Sequence, residues 1–406
     1  MTARTYVDIH VVQTVPPCNL NRDDAGSPKQ AVYGGVRRTR VSSQAWKRAT
    51  RVAFEERLQI PQADLGVRTK RIAKLLADRL AERTGLGAEA ATRLSTTLLA
   101  DLKVTPSKKQ ASETSYLLFF GRHQLETIID LVADRASELA DLPDKDLEKA
   151  VSGLGVRDAL KKGHPIDVAL FGRMVADLAE LNVDAATQVA HALSTHATEI
   201  EFDYYTAVDD DKDRSAGDDA GAGMIGTVEF TSATLYRYAT VGLHQLAENL
   251  DGDPDVVLNA LAAFLQAFVF SMPTGHENSF AHRTVPNLIS VVIRDDQPVN
   301  LVSAFERPVL ADGHGIASQS ILALAAEKQR VETSWGLAPL ATVSQYNSSA
   351  ANDATNATHE APDNASEGIG LVEVFGSPVA FGDLVRQVTE TVRPRLAGSP
   401  APQDAR

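Results

Sequence analysis

The thirty residues Arg22–Arg51 read RDDAGSPKQAVYGGVRRTRVSSQAWKRATR. They carry eight basic side chains against two acidic ones, in a chain whose formal net charge is −13. One dense basic patch in an acidic protein suggests an anionic partner held at a defined place. The first half, with Gly26, Pro28, Gly34 and Gly35, reads as a loop. Ser42 or Ser43 then caps a helix over about 44–58. At 100° per residue, Ala45, Trp46, Ala49, Val52 and Ala53 share one side, and Lys47, Arg48 and Arg51 the other. Such a helix packs on a sheet while presenting a basic stripe. Its first amides, beside Arg40, suit a phosphate. A solvated amphipathic surface helix has the same pattern, so composition leaves both readings open.

Upstream, TYVDIHVVQTV (Thr5–Val15) is β-rich and partly alternating, a core strand ended by Pro16 and Pro17. Downstream, Arg68 to His196 reads as mainly helical. Its candidate helices are VRTKRIAKLLADRLAER, the segment near Ala88–Leu102, SYLLFFGRHQLETIIDLVADRASELA, one ending near Lys161, RMVADLAEL and DAATQVAHAL. Glu199–Phe230 changes character: Phe202, Tyr204 and Tyr205, then an acidic, Gly-rich centre with six Asp between Asp209 and Asp219, then MIGTVEF. That composition fits a long hairpin excursion. TSATLYRYATVGLHQL reads as a strand leading into a helix, and Leu258–Phe270 as a buried helix. SMPTGHENSFAHRTVPNL reads as a loop, and ISVVIRD and PVNLVSAFE as strand material. Ala341–Gly370 reads as an exposed linker, followed by a short element, a helix and a disordered tail. The organisation is α+β.

At 406 residues and 44% hydrophobic, the chain can bury a large core. The longest apolar stretch is too short to span a bilayer, and the N-terminus lacks a secretory signal pattern. A single cysteine, Cys18, excludes an intramolecular disulfide and suits a reducing cytoplasm. It reads as a packed thiol. His191 and His196 lie five apart, poor spacing for one helical face. His276, Glu277 and His282 do not form a helical HExxH pair. The Asp cluster at 209–219 is weak evidence for a cation, so no metal or cofactor is expected.

Four ordered stretches carry a family resemblance: CNLNRDDAGSPKQAVYGGVRRTRVSSQAWKRATR (Cys18–Arg51), HPIDVALFGRM (His164–Met174), FDYYTAVDD with GTVEFTSATLYRYATV, and PTGHENSFAHRTVPN. Together they resemble the CasC-type backbone subunit of the type I-E CRISPR Cascade complex. The resemblance implies an RRM-like (ferredoxin-like) palm with a helical fingers insertion and a thumb hairpin. Palm residues would be 1–43 and 231–390, fingers 44–198, thumb 199–230 and a disordered tail 391–406. It implies a non-catalytic cytoplasmic protein. Copies would line up on the spacer of a CRISPR RNA beside other Cascade subunits and leave bases free to pair with target DNA. Arg22, Lys29, Arg38, Arg40, Ser42, Gln44, Lys47 and Arg48 would grip the RNA backbone. Met174 and Tyr205 would pack against a displaced base, and His276 and Arg283 would add contacts. Two other readings compete: a metal-dependent ribonuclease using Asp23 or the 209–219 acids, and a structural subunit whose basic face binds an acidic protein.

Overall fold

Alternation along the first strand sets the layers. In the computed structural model, which describes residues 4–100, 113–114, 117–175, 178–207, 224–311, 313, 315–347 and 370–396, β1 is Tyr6–Cys18. Val7, Ile9 and Val11 face one side of the sheet, while Asp8, His10 and Val12 face the other. The strand passes through Pro16 and Pro17 instead of stopping there. A register shift between Val15 and Cys18 accommodates them, since a bulge tolerates residues that lack an N–H.

β1 lies between β9 (Met224–Gly242) and β10 (Leu288–Arg294), antiparallel to both. Beyond β10 lies β11 (Ala341–Tyr346). Beyond β9 come β7 (Ala192–Ser194), β3 (Val36–Val41) and β2 (Gln30–Tyr33). β6 (Thr187–Val189) also pairs with β9. The far end of β9 leaves the sheet to form a hairpin with β8 (Glu201–Ala207). The acidic run Asp209–Asp219 lies outside the described residues.

One face is covered by α1 (Ser43–Glu56), α9 (Leu243–Asn249), α10 (Pro254–Phe270) and α14 (Phe381–Leu396). Asp253 caps α10 and Pro254 starts it. The other face is covered by α12 (Ile316–Trp335) and α13 (Leu371–Phe375). A separate core unites α2 (Ile72–Thr84), α3 (Ala88–Ala100), α4 (Arg122–Asp130), α5 (Ala136–Asp141), α6 (Asp144–Val151) and α7 (Val156–Ala159). β4 (Gly66–Thr69) and β5 (Leu118–Gly121) pair at its base. α8 (Ile166–Phe171) leads back to the main sheet. Among the described residues no single helix is long and apolar enough to cross a membrane.

Several expectations change. The span 44–198 is not uniformly helical: α1 packs on the main sheet, β4 and β5 precede helices, and DAATQVAHAL forms β6 and β7. The long β9 supplies hydrogen-bonding partners there that no local propensity reveals. PVNLVSAFE holds a 3₁₀ turn, Leu301–Phe305, whose Val302 amide is capped by Asn300. Ala341–Tyr346 is a strand, not linker. Residues 391–396 belong to α14, where Val392 is fully buried. The twenty-residue α12 had no counterpart in the sequence reading.

Under α12 the sheet buries a polar network. Tyr238 donates to Asp8 (2.9 Å), as does the Val299 amide (2.9 Å), and Arg294 lies 3.3 Å from the same carboxylate. His10 Nδ1 meets the Tyr236 hydroxyl at 2.9 Å. Burial pushes His10 down to about 3, with Arg294 and Lys328 adding to the effect, and lifts Asp8 to about 6. The unfolded chain therefore takes a proton at His10 near pH 6.5 that the folded chain refuses until about 3. Stability is lost as pH falls through that window, by at most about 1.4 kcal/mol per unit. Asp8 acts in the opposite sense: its contribution is present at low pH and lost as pH rises from 3.8 to about 6. In urea titrations between pH 7 and 4.5, His10→Gln should cost less stability relative to wild type as pH is lowered. A constant difference would show that His10 does not titrate between the two states.

Candidate nucleic-acid interface

Helix α1 is anchored at its start and on its inner face. The Ser42 hydroxyl accepts from the Ala45 amide (3.2 Å), and the Ser42 amide donates to Asn21 Oδ1 (2.9 Å). The Ser43 amide donates to His191 Nδ1 (3.0 Å), which lies 3.5 Å from Arg40. Trp46, Thr50, Ala53 and Phe54 are buried. The indole of Trp46 carries the buried Arg237 guanidinium 3.8 Å above its ring. Arg237 also donates to Gln13 Oε1 at 2.6 Å. Fixing the inner face this way fixes where the outer face points.

That outer face separates two clefts. A cleft of about 670 Å³ is bordered by Gln44, Lys47, Arg48, Arg51, Phe119 and Met174. A second, of about 520 Å³, is bordered by Arg22, Arg48, Arg57, Phe270, Met272 and Arg283. Ala49 and Val52, expected in the packed face, instead line this second cleft, which Ala45 borders while packing against the cluster around Trp46. Arg48 is exposed and borders both. Partial burial lowers Lys47 below the usual lysine range. The structure thus brings Gln44, Lys47, Arg48 and Met174 to one cleft, and Arg22 and Arg283 to the other. The two clefts share Arg48.

Met174 is built into its place. Gly172 has φ +75°, and a Cβ there would come within 2.7 Å of the Val183 carbonyl oxygen. Arg173 and Val183 exchange backbone hydrogen bonds of 2.9 and 2.8 Å. The buried Arg173 side chain donates to the carbonyls of Leu181 (2.6 Å) and Leu160 (2.8 Å), and burial lowers it to about 10. The Val175 amide donates to Asn182 Oδ1 (2.7 Å). Between these pinned neighbours Met174 is 83% exposed. Held there, its apolar side chain offers the cleft an exposed hydrophobic surface.

Around the second cleft, the loop with His276 and Arg283, which holds the short α11 (Glu277–Phe280), is braced against the N-terminal loop. Arg22 reaches His276 Nε2 at 3.1 Å. A Cβ on Gly275 would lie 2.3 Å from the Asn19 carbonyl oxygen, so only glycine allows this approach. Buried His282 contacts the Pro273 carbonyl at 3.0 Å. Arg283 is ion-paired with Glu277, which offsets part of its charge. Tyr205 lies outside both clefts, on the β8–β9 hairpin, with its ring over Gly226 of the opposite strand. Phe202 and Tyr204, on the other face of that strand, are 68% and 73% exposed.

Arg38 requires a correction. It is fully buried and donates to the carbonyls of Tyr33 (3.2 Å), Ser194 (3.1 Å) and Phe305 (2.8 Å). Its guanidinium ties the β2–β3 turn to β7 and the 3₁₀ turn and cannot present to a ligand. Strand alternation explains this: Arg37 points out, Arg38 points in. Ser42 is also buried, and its hydroxyl is used as the cap. Lys29 and Arg40 remain half-exposed, beside His191. Arg57 and Arg68 border the clefts without having been singled out, and Arg51 borders one without having been named as a contact. Arg51 was visible in the basic stripe, whereas Arg68 comes from β4, which no local signal places beside α1.

Of the acids offered for catalysis, Asp23 lies within the described residues and the 209–219 run does not. Asp23 Oδ1 accepts the amides of Ala25 (2.9 Å) and Ser27 (3.0 Å), closing a turn. Among the described residues no group of three or more His, Cys, Asp or Glu is placed to hold a metal ion. Cys18 is buried, and desolvation raises its thiol to about 12.

With this geometry in view, comparisons define the class. A family model described as CT1975-like protein (Cas_CT1975) matches residues 7–368. The chain belongs to this family. A chain of a "CRISPR RNA-guided surveillance complex, pre-nicking" is 30% identical, with a TM-score of 0.75 over 95% of this chain and 99% of that one. A chain of another "CRISPR RNA-guided surveillance complex" is 28% identical, with a TM-score of 0.67 and the same two coverages. No curated protein matches. The resemblance to the CasC-type backbone subunit of Cascade is borne out.

Arg38 and Arg48 should separate stability from binding. Arg38→Ala leaves several buried carbonyls without donors and should cost on the order of 3–5 kcal/mol. Arg48→Ala should change stability by no more than about 0.5 kcal/mol. Equal melting temperatures for the two variants in calorimetry would contradict the burial of Arg38.

Proposed function

We propose that this chain is a non-catalytic, RNA-binding backbone subunit of a type I-E CRISPR complex, working in the cytoplasm. Copies oligomerise along the spacer of a CRISPR RNA and hold its bases ready to pair with target DNA. On this reading the main sheet with its covering helices is the RRM-like palm, the α2–α7 body is the fingers, and the β8–β9 hairpin is the thumb. The observation that carries it is the stripe of α1, Gln44, Lys47 and Arg48, bordering a cleft that Met174 also borders. The similar chains come from RNA-guided complexes.

The chemistry suits the task. Guanidinium and ammonium groups on a rigid helix grip phosphates without reading sequence, as a subunit that accepts any spacer must. Met174 offers an apolar surface for a base turned out of the stack, and Tyr205 a second one from the thumb. Arg22, Lys29, Arg40, His276 and Arg283 extend the basic track. Binding along a shared RNA multiplies weak contacts through effective concentration. Reversing charge at Arg40, Lys47 and Arg48 together should abolish RNA binding at moderate salt. With three fewer phosphates neutralised, the residual binding at low salt should show a log K against log salt slope flatter by about 2. Fluorescence polarisation with labelled CRISPR RNA measures both, and unchanged binding would refute the proposal.

A further inference from the structure

We infer that Arg51 is an additional phosphate contact in the cleft beside α1, and that the buried carboxylate of Asp167 is its positioning residue. The inference rests on the RNA-binding reading above and deepens it.

Arg51 continues the stripe of Gln44, Lys47 and Arg48 by one further turn and borders the same cleft. Its side chain is 26% exposed, while Asp167 beside it is 4% exposed. Arg51 Nε lies 3.5 Å from Asp167 Oδ2. Its guanidinium also sits 4.6 Å from the centre of the Phe119 ring. A carboxylate behind and an aromatic ring beneath restrict a side chain that would otherwise sample many rotamers. The remaining guanidinium face is left to the cleft.

Asp167 is itself immobilised. Its Oδ1 accepts the Gly66 amide (2.8 Å) and the Val168 amide (3.0 Å). A Cβ on Gly66 would come within 2.9 Å of that oxygen and 2.6 Å of the Phe119 ring. The carboxylate thus joins β4, α8 and α1, three elements from the two walls of the cleft. Desolvation raises Asp167 above the usual carboxylate range, and Arg51 and the two amides oppose that rise. A structural strut could be apolar at lower cost. A charged strut facing an arginine in a basic cleft aims that arginine, and a preorganised fork loses less entropy on gripping a phosphate.

The test uses the full chain, a labelled single-stranded RNA and four proteins: wild type, Arg51→Gln, Asp167→Asn and the double variant. Asp167→Asn keeps an oxygen for the Gly66 amide but removes the charge. Each single variant should weaken binding on the order of tenfold. Each should also reduce the salt slope by about 0.7, one single-strand phosphate. The double variant should bind no more weakly than Arg51→Gln. Losses that add in the double variant, with the wild-type slope retained in Asp167→Asn, would overturn the positioning role. Should Asp167→Asn fail to fold, Arg51→Lys decides. It keeps the charge but loses the planar fork, so it should recover the slope without full affinity. Wild-type affinity in Arg51→Lys would overturn the inference. Failure of the wild-type chain to bind RNA would overturn the RNA reading, and this inference with it.

Discussion

The pairing of β1 with β9 is the constraint on which the molecule rests. Their register runs from Tyr6↔Gly242 to Cys18↔Thr231, so two strands far apart in sequence form the middle of the sheet. That one ladder orients Val7, Ile9, Val11, Ala239 and Val241 toward α10 and α14. It also turns Asp8, His10, Tyr236 and Tyr238 toward α12. Because β9 is nineteen residues long, its free end becomes one arm of the hairpin that carries Tyr205. The position of the hairpin is therefore set by the same hydrogen bonds that build the core. Such a strand pair is costly to form, because the loop closed is long.

Burying polar groups on the α12 face has a consequence for specificity of fold. Asp8, Arg294, Tyr238 and the Val299 amide satisfy one another. A one-residue slip of β1 would carry Asp8 and His10 to the α10 side, among Phe264, Leu265 and Phe268. Unpaired there, a carboxylate costs several kcal/mol. The network therefore penalises the wrong register more than it stabilises the right one. On the α10 face Arg237 plays a comparable part, seated between Trp46 and Phe268. That seat locks α1 to the sheet, and through α1 it locks the cleft.

What could be read from the sequence follows from how local each signal is. The capped helix α1, the buried α10 and the strands β1, β9 and β10 carry their own periodicity or composition. β6 and β7, three residues each, do not; they are strands because β9 lies beside them. Likewise β4 and β5 need each other, and α12 has a mixed pattern because its Lys328 is buried, donating to the Val374 carbonyl at 2.9 Å. For the site, spacing on α1 was enough to find Lys47, Arg48 and Arg51, while Gln44 came from the family resemblance. The ordered motifs pointed to Met174. Alternation along β3 separates Arg37 from Arg38 but does not say which of the two faces inward, and so Arg38 was misread.

The arginines sort by what lies behind them. Arg38, Arg173 and Arg237 are buried and spend their donors on backbone carbonyls at chain crossings. Carbonyls at such crossings lack ladder partners, and a planar group with five N–H donors can reach several at once. Arg48, with no such crossing behind it, stays in solvent at the junction of the clefts. Met174 depends on the first group: Arg173, one residue before it, holds the loop down while Met174 stands out. On the proposed function, a surface that accepts any RNA sequence cannot derive precision from base contacts. It must come from the rigidity of the backbone that presents the cations, and in this chain buried arginines supply that rigidity for the exposed ones.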